Sequence, residues 1–66
     1  MTAEFRKNLD EAVDFWKNED SDTLLSLLCE YARDVGFYHD NPSMRESSEV
    51  NVIAIRKVLR ERLEAK

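Results

Sequence analysis

His39 and Asp40 are neighbouring residues whose types suggest catalysis. A carboxylate beside an imidazole can orient the ring, and an oriented imidazole is the most common general base in enzymes. Adjacency in the chain, however, does not supply the spatial arrangement that catalysis requires. The possible nucleophiles carry no recognisable sequence signature: Cys29, Ser43, Ser47 and Ser48. We therefore predict that the chain is not an enzyme, and an enzymatic or small-molecule role for this pair is the third hypothesis.

Metal and cofactor sites lack their usual residues. One His and one Cys are too few for a zinc site built from those ligands or for a disulfide within the chain. The acidic segment 19–22 has neither the Asp/Asn alternation nor the Gly and distal Glu of a calcium loop, and one Gly cannot form a Gly-rich phosphate loop. We expect no metal and no cofactor. We interpret the segment as a solvated turn that caps a helix through Ser21 or Asp22, and Cys29 as a half-buried apolar group.

Basic side chains are concentrated near the end of the sequence: Arg56, Lys57, Arg60, Arg62 and Lys66. Cations spaced along one helix can bind phosphates, and such binding weakens steeply with salt. The net charge of −4 disfavours this role, and we expect Glu61 and Glu64 to pair with basic residues one turn before them. Nucleic-acid binding through the basic end of the third helix is the alternative function. The uneven distribution of charge has two interpretations. In one, the basic residues are favoured at the end of the helix by its dipole; in the other, acidic and basic parts of different copies attract each other head to tail.

Three consecutive large side chains, Phe37, Tyr38 and His39, form the best candidate for contact with another protein. They cannot all point into one core. We expect Phe37 to fold back on the end of the preceding helix, which leaves Tyr38 and His39 free to face a partner. Aromatic residues are enriched at binding hot spots. In the alternative interpretation, Phe37 and Tyr38 close the bottom of a helical bundle.

The elements that position these residues are predicted to be helices. Apolar residues recur at helical spacing along the chain, which contains one Gly and one Pro. We predict helices at about residues 3–18, 22–35 and 42–64. They form a single domain over residues 1–66, an all-α three-helix bundle in which an antiparallel helical hairpin precedes a longer third helix.

Cap residues set these predicted ends. Thr2 is a natural N-cap for the first helix, and Asn41 followed by Pro42 suits the start of the third. Gly36 stands where a C′ glycine should end the second helix. Ser47 and its neighbour offer a later start or a bend in the third helix, and the sequence does not decide between a continuous and a broken helix.

The third helix is apolar over most of its circumference in the middle. Its main stripe is Val52, Ile55, Leu59 and Leu63, with Met44 in line, while Val50, Ile53 and Ala54 fall on other faces. Such a helix is usually covered on more than one side, and a chain this short has a small core. We therefore predict a homodimer in which the third helix is covered by its partner. A monomeric bundle is the alternative.

Two polar residues of the third helix, Asn51 and Arg62, fall inside its apolar arc. One interpretation is that Arg62 extends its charged end to solvent from the end of the helix. The other is that the two side chains fix the register of a contact between helices, as isolated polar groups in apolar seams can do.

Composition narrows the class of protein. No run approaches the roughly 18 apolar residues of a membrane-spanning helix, and the opening residues MTAEFRKNLDEA lack the apolar segment of a signal peptide. We expect an acidic, cytoplasmic protein without a membrane role. Our leading hypothesis is a non-catalytic protein-interaction module, a regulator or adaptor, and no motif identifies its family or partner. The predicted partner-binding residues are Phe37, Tyr38, His39, Ile53, Arg56 and Arg60.

Overall fold

A computed structural model describes residues 2–65, which form three α-helices. They are α1 (Ala3–Trp16), α2 (Ser21–Phe37) and α3 (Pro42–Glu64). The predicted all-α, three-helix architecture is confirmed, and the ends of α1 and α2 lie within one or two residues of the predicted ones. α3 is a single continuous helix through Ser47 and Ser48, which decides the question that the sequence left open.

A side-chain oxygen caps the N-terminus of each helix. At α1 the oxygen belongs to Thr2, and at α3 it belongs to Asn41, both as predicted. At α2 it belongs to Asp20, one residue before the predicted Ser21 or Asp22. Each oxygen accepts a backbone N–H that has no partner within its own helix, so the three starts are fixed locally by sequence.

The Asp20 cap makes the stability of α2 depend on pH. Its carboxylate accepts the Thr23 hydroxyl proton at 2.6 Å and the Thr23 N–H at 3.1 Å, and these bonds, the hydroxyl first, lower the pKa of Asp20 from its ordinary 3.8. A pKa lowered in the folded state gives stabilisation that is complete above the unfolded pKa and disappears as the pH falls through the folded one. We expect the melting temperatures of wild type and Asp20→Asn, which differ at pH 7, to converge as the pH falls below the lowered pKa of Asp20.

The matched control for this pH dependence is Asp22→Asn, which removes a carboxylate from the same helical turn. Circular dichroism melts between about pH 2 and 7 compare the variants. If Asp22→Asn changes the fall of the melting temperature at low pH as much as Asp20→Asn does, the helix dipole rather than the cap causes the pH dependence.

Gly36 does not end α2 as predicted. The helix continues to Phe37, and no residue between 2 and 65 adopts a positive φ angle. A Cβ atom built on Gly36 would meet no heavy atom within 4 Å. Neither a left-handed backbone conformation nor the close approach of another helix therefore requires a glycine at this position.

We expect Gly36→Ala to stabilise the protein by about 0.5 kcal/mol. Alanine restricts the unfolded chain and favours the helix, and the site has room for its methyl group. Urea titration followed by circular dichroism measures the change. A loss of stability would contradict the helical conformation of residue 36.

α3 lies at the centre of the fold. The backbones of α1 and α2 each lie close to α3 and rarely close to one another, although their side chains meet at Trp16 and Tyr31. The predicted hairpin of α1 against α2 is therefore not the main packing unit. α1 runs parallel to α3, because Thr2 and Ser43, at the starts of the two helices, line one groove and Trp16 bonds to Asn51 further along. The chain thus covers two sides of α3 with its own first two helices.

α2 runs antiparallel to α3. The core lies between these two helices, and side chains of α1 pack against it. Its buried residues are Leu24, Ile55 and Val58. Partly buried side chains pack around them: Val13, Trp16, Leu27, Leu28, Tyr31 and Leu59. Val50 and Ala54 are also buried, as expected for a helix that is covered on more than one side.

The predicted apolar stripe of α3 is wrong at its two ends. Leu63 is 70 % exposed and Met44 is 44 % exposed. The reason is that α1 and α2 are shorter than α3 and pack around its middle. The stripe is buried only where a neighbouring helix reaches it.

The molecule is flat. Its principal extents are 39 × 26 × 16 Å, as expected for helices arranged nearly in one layer. The chain exposes 4963 Å², whereas a compact monomer of this length exposes about 4,400 Å². The exposed residues Ile53, Arg56 and Arg60 mark the side of α3 that α1 and α2 leave uncovered.

Candidate functional site

Asn51 ties α1 to a fixed point along α3. Its side-chain oxygen accepts the indole N–H of Trp16 at 2.9 Å, and its amide group donates to the Ser47 carbonyl at 3.0 Å. The second bond orients the amide so that its oxygen faces the indole. Trp16 also packs edge-to-face on Tyr31, with ring centroids 6.3 Å apart, so one polar contact positions an aromatic group where the three helices meet.

Arg62 holds the segment that joins α1 to α2. Its guanidinium donates to the Ser21 hydroxyl at 2.9 Å and to the Lys17 carbonyl at 2.9 Å, and it also bonds to the Glu19 carbonyl. Carbonyls at the end of a helix lack partners within the helix and carry the negative end of its dipole. Asn51 therefore makes a polar contact between α1 and α3, and Arg62 makes one between α3 and the α1–α2 segment, both within one chain; that these contacts fix a helix register stays a prediction.

His39 and Asp40 form the pair that their adjacency suggested. His39 Nε2 lies 3.1 Å from a carboxylate oxygen of Asp40, and Nδ1 lies 3.2 Å from the Gly36 carbonyl. The two side chains are 71 % and 90 % exposed, so solvent surrounds the pair. The contacts fasten the turn to the end of α2.

Phe37 does not fold back on the helix end as expected. It is 75 % exposed, while Tyr38 is half-buried and packs edge-to-face on it with centroids 5.0 Å apart. Because α2 continues through residue 37, its periodicity turns Phe37 away from the side that faces α3. Phe37 and His39 are therefore the exposed side chains of this turn, and Tyr38 supports them.

The uncovered side of α3 is the second candidate surface. We call it the outer face of α3, and it consists of Arg45, Glu46, Glu49, Ile53, Arg56, Lys57, Arg60, Glu61 and Glu64. At its centre Ile53 is 39 % exposed, although it is flanked in sequence by half-buried and buried residues. Three shallow grooves meet at this side chain.

Apolar groups from the other two helices surround Ile53. Phe5 of α1 lines the groove on one side. Ala32 and Val35 of α2 line the groove on the other side, together with Val52 of α3. All three helices thus contribute to one small apolar patch.

The third groove at Ile53 is basic. Arg56, Lys57 and Arg60 line it together with two glutamates. The ion pairs within residues 2–65 are Lys17 with Asp14 and Arg45 with Glu49, besides the contact of His39 with Asp40. The pairs expected from Glu61 and Glu64 are not formed, since exposed ion pairs gain little energy against the entropy of two long side chains.

The six predicted partner-binding residues belong to two surfaces. Ile53, Arg56 and Arg60 share one groove on the outer face of α3, and residues 37–39 form the turn after α2. Sequence reasoning missed the place of Phe5 beside Ile53, because it assigned Phe5 to the core stripe of α1. It also missed Glu46 and Glu49, although their helical spacing from Ile53 places them on the same face.

Other classes of site find little support in the part of the chain that the structure describes. Residues 2–65 contain no group of three or more His, Cys, Asp or Glu side chains placed to hold a metal ion. Cys29 is exposed, not half-buried as expected. None of the three helices combines the length and the apolar content needed to cross a membrane.

Comparisons of the chain with protein-family models, with curated proteins and with solved structures gave no match. Functional conclusions therefore depend on the two surfaces themselves.

Proposed function

We propose that the chain is a small, non-catalytic protein-interaction module of the cytoplasm, a regulator or adaptor that binds another protein through the outer face of α3. The observation that carries this proposal is Ile53, which is 39 % exposed at the point where three grooves meet. Burying it and its apolar neighbours would remove from water a surface that the chain leaves uncovered.

The surroundings of Ile53 support a protein as the ligand. Protein interfaces commonly have an apolar centre and a polar, solvent-accessible rim. Here the centre is Ile53 with Phe5 and Val35, and the rim contains Arg56 and Arg60. Arginine is enriched at binding hot spots because it combines charge, multiple donors and an apolar stem. The exposed Phe37 of the turn offers a second point of contact.

The test is differential binding by folded variants. Wild type, Ile53→Asp, Arg60→Glu and the control Leu25→Asp are immobilised, and retained proteins from an extract of the source cells are quantified by mass spectrometry. Leu25 is an apolar residue of α2 that is 52 % exposed. Circular dichroism first verifies that each variant retains its helices.

We expect at least one protein that wild type and Leu25→Asp retain and that the two α3 variants lose. That protein, once purified, should bind the chain directly with the same dependence on the variants. If every retained protein is lost equally with Leu25→Asp, or if none depends on Ile53, the outer face of α3 is not the binding surface.

Nucleic-acid binding is the second candidate function. The observation that favours it is that Arg56, Lys57 and Arg60 have no acidic partner within 4 Å among residues 2–65. Three phosphate contacts would give an affinity for duplex DNA that falls steeply between about 50 and 200 mM salt. Fluorescence anisotropy with labelled DNA and RNA measures this dependence. Undetectable binding at low salt would exclude the alternative.

A further inference from the structure

We infer that the occupant of the outer face of α3 is a second copy of this chain, bound with its own α3 antiparallel. The inference rests on the proposed function, since it names the partner of the same surface. The flat shape of the molecule and the arrangement of charge along α3 support it.

The charges on the outer face change sign at Ile53. Glu46 and Glu49 precede it, whereas Lys57 and Arg60 follow it. In an antiparallel pair centred on Ile53, residues equally far before and after it lie opposite each other. Glu49 then faces the partner's Lys57, and Glu46 faces the partner's Arg60. Two-fold symmetry repeats each of these contacts, so four opposite-charge pairs flank the centre.

Two residues interrupt this pattern. Arg45 stands among the acidic residues and Glu61 stands among the basic ones, each eight positions from Ile53. Arg45 is paired with Glu49 of its own helix at 3.6 Å, and Glu61 lies about 160° from Arg45 around α3, so these two side chains lie on opposite edges of the outer face and make no pair across the dimer. A parallel pair in register would place every charge opposite its own copy, and these like charges would repel. The order of negative and positive charges along α3 therefore favours the antiparallel orientation of the two helices.

The centre of this dimer is apolar. Ile53 meets the partner's Ile53 on the symmetry axis, and Phe5, Ala32 and Val35 stand beside it. The chain exposes 4963 Å², roughly 600 Å² more than a compact monomer of its length. A standard interface takes about 800 Å² from each partner, so a second copy could cover an amount of surface comparable with this excess.

The experiment is sedimentation velocity across a dilution series of wild type, Arg60→Glu, Glu46→Arg and the double variant that carries both changes. We expect wild type to be a dimer that dissociates on dilution. Each single reversal should weaken the dimer about 10-fold or more, because symmetry makes every change act twice. The double variant should recover the wild-type association, since the exchanged charges face each other again.

Mixing the two single variants gives a second, independent readout. Arg60→Glu and Glu46→Arg should each be mainly monomeric alone and should form a heterodimer when mixed, because residue 60 of each chain then faces an opposite charge. Lys7→Glu is the control for the change of charge, since Lys7 is exposed on the side of α1 that is turned away from α3. It should leave the dimer unchanged.

The inference is overturned if wild type is monomeric throughout the series, or if the double variant and the mixture show no recovery. Its failure differs from failure of the proposed function. A monomer whose Ile53→Asp variant loses a different protein would retain the proposed function and exclude the second copy as the occupant. A dimer that resists both reversals would place the contact on another surface.

Discussion

Leu24→Ala should lower the free energy of unfolding by about 3 kcal/mol. Leu24 is fully buried and packs with Ile55 and Val58, and a truncated core leucine leaves a cavity as well as lost apolar burial. A domain of this length has a total stability of about 3–10 kcal/mol. The substitution is therefore expected to remove about a third or more of the stability of the chain.

Leu25→Ala is the matched control, because the neighbouring leucine is 52 % exposed. It should cost about 0.5 kcal/mol or less, the range of ordinary surface substitutions. Urea unfolding followed by circular dichroism compares the two variants. Equal effects at the two leucines would mean that the core does not lie between α2 and the middle of α3.

Arg62→Ala is expected to cost about 2 kcal/mol, the second largest effect. The change leaves the Lys17 and Glu19 carbonyls and the Ser21 hydroxyl without their donor. Hydrogen bonds from a charged donor contribute more than neutral ones. Arg60→Ala, at an exposed arginine of the same helix, should stay within about 0.5 kcal/mol of wild type.

Arg62→Lys separates the geometry of the contact from its charge. Lysine retains the positive charge near the end of α1 but lacks the planar fork that serves several acceptors at once. We expect it to restore less than half of the loss, and amide hydrogen exchange should show faster opening of residues 17–21 in both Arg62 variants. Complete rescue by lysine would mean that the helix dipole, rather than the fork, carries the interaction.

The sequence was sufficient for the helices but not for their packing. Caps such as Thr2 and Asn41 act on the backbone within three residues, so their effect is visible in a short window of sequence. A hydrophobic stripe shows which side of a helix is buried, but it does not show which other helix buries it. The fold therefore matched the prediction in its elements, while the expected pairing of α1 with α2 gave way to a common packing on α3.

The candidate sites also divide into features that a single helix determines and features that depend on how the helices pack. Ile53 and Arg60 were identifiable from sequence because their spacing is a property of a single helix. Phe5 beside Ile53 was not, since that contact depends on how far the start of α1 extends along α3. Gly36 misled the prediction because the preference of glycine for a C′ position is statistical, whereas the helix here continues past it.

The central position of α3 also governs the order in which the chain can fold during its synthesis. α1 and α2 make most of their close backbone contacts with α3, and Arg62 must be present before the end of α1 is held. At translation rates of about 5–20 residues per second, α1 waits roughly 2–10 s for the last turn of α3. During that interval α1 can pack only on α2, through contacts such as Trp16 with Tyr31, and its apolar stripe gains its α3 partner last.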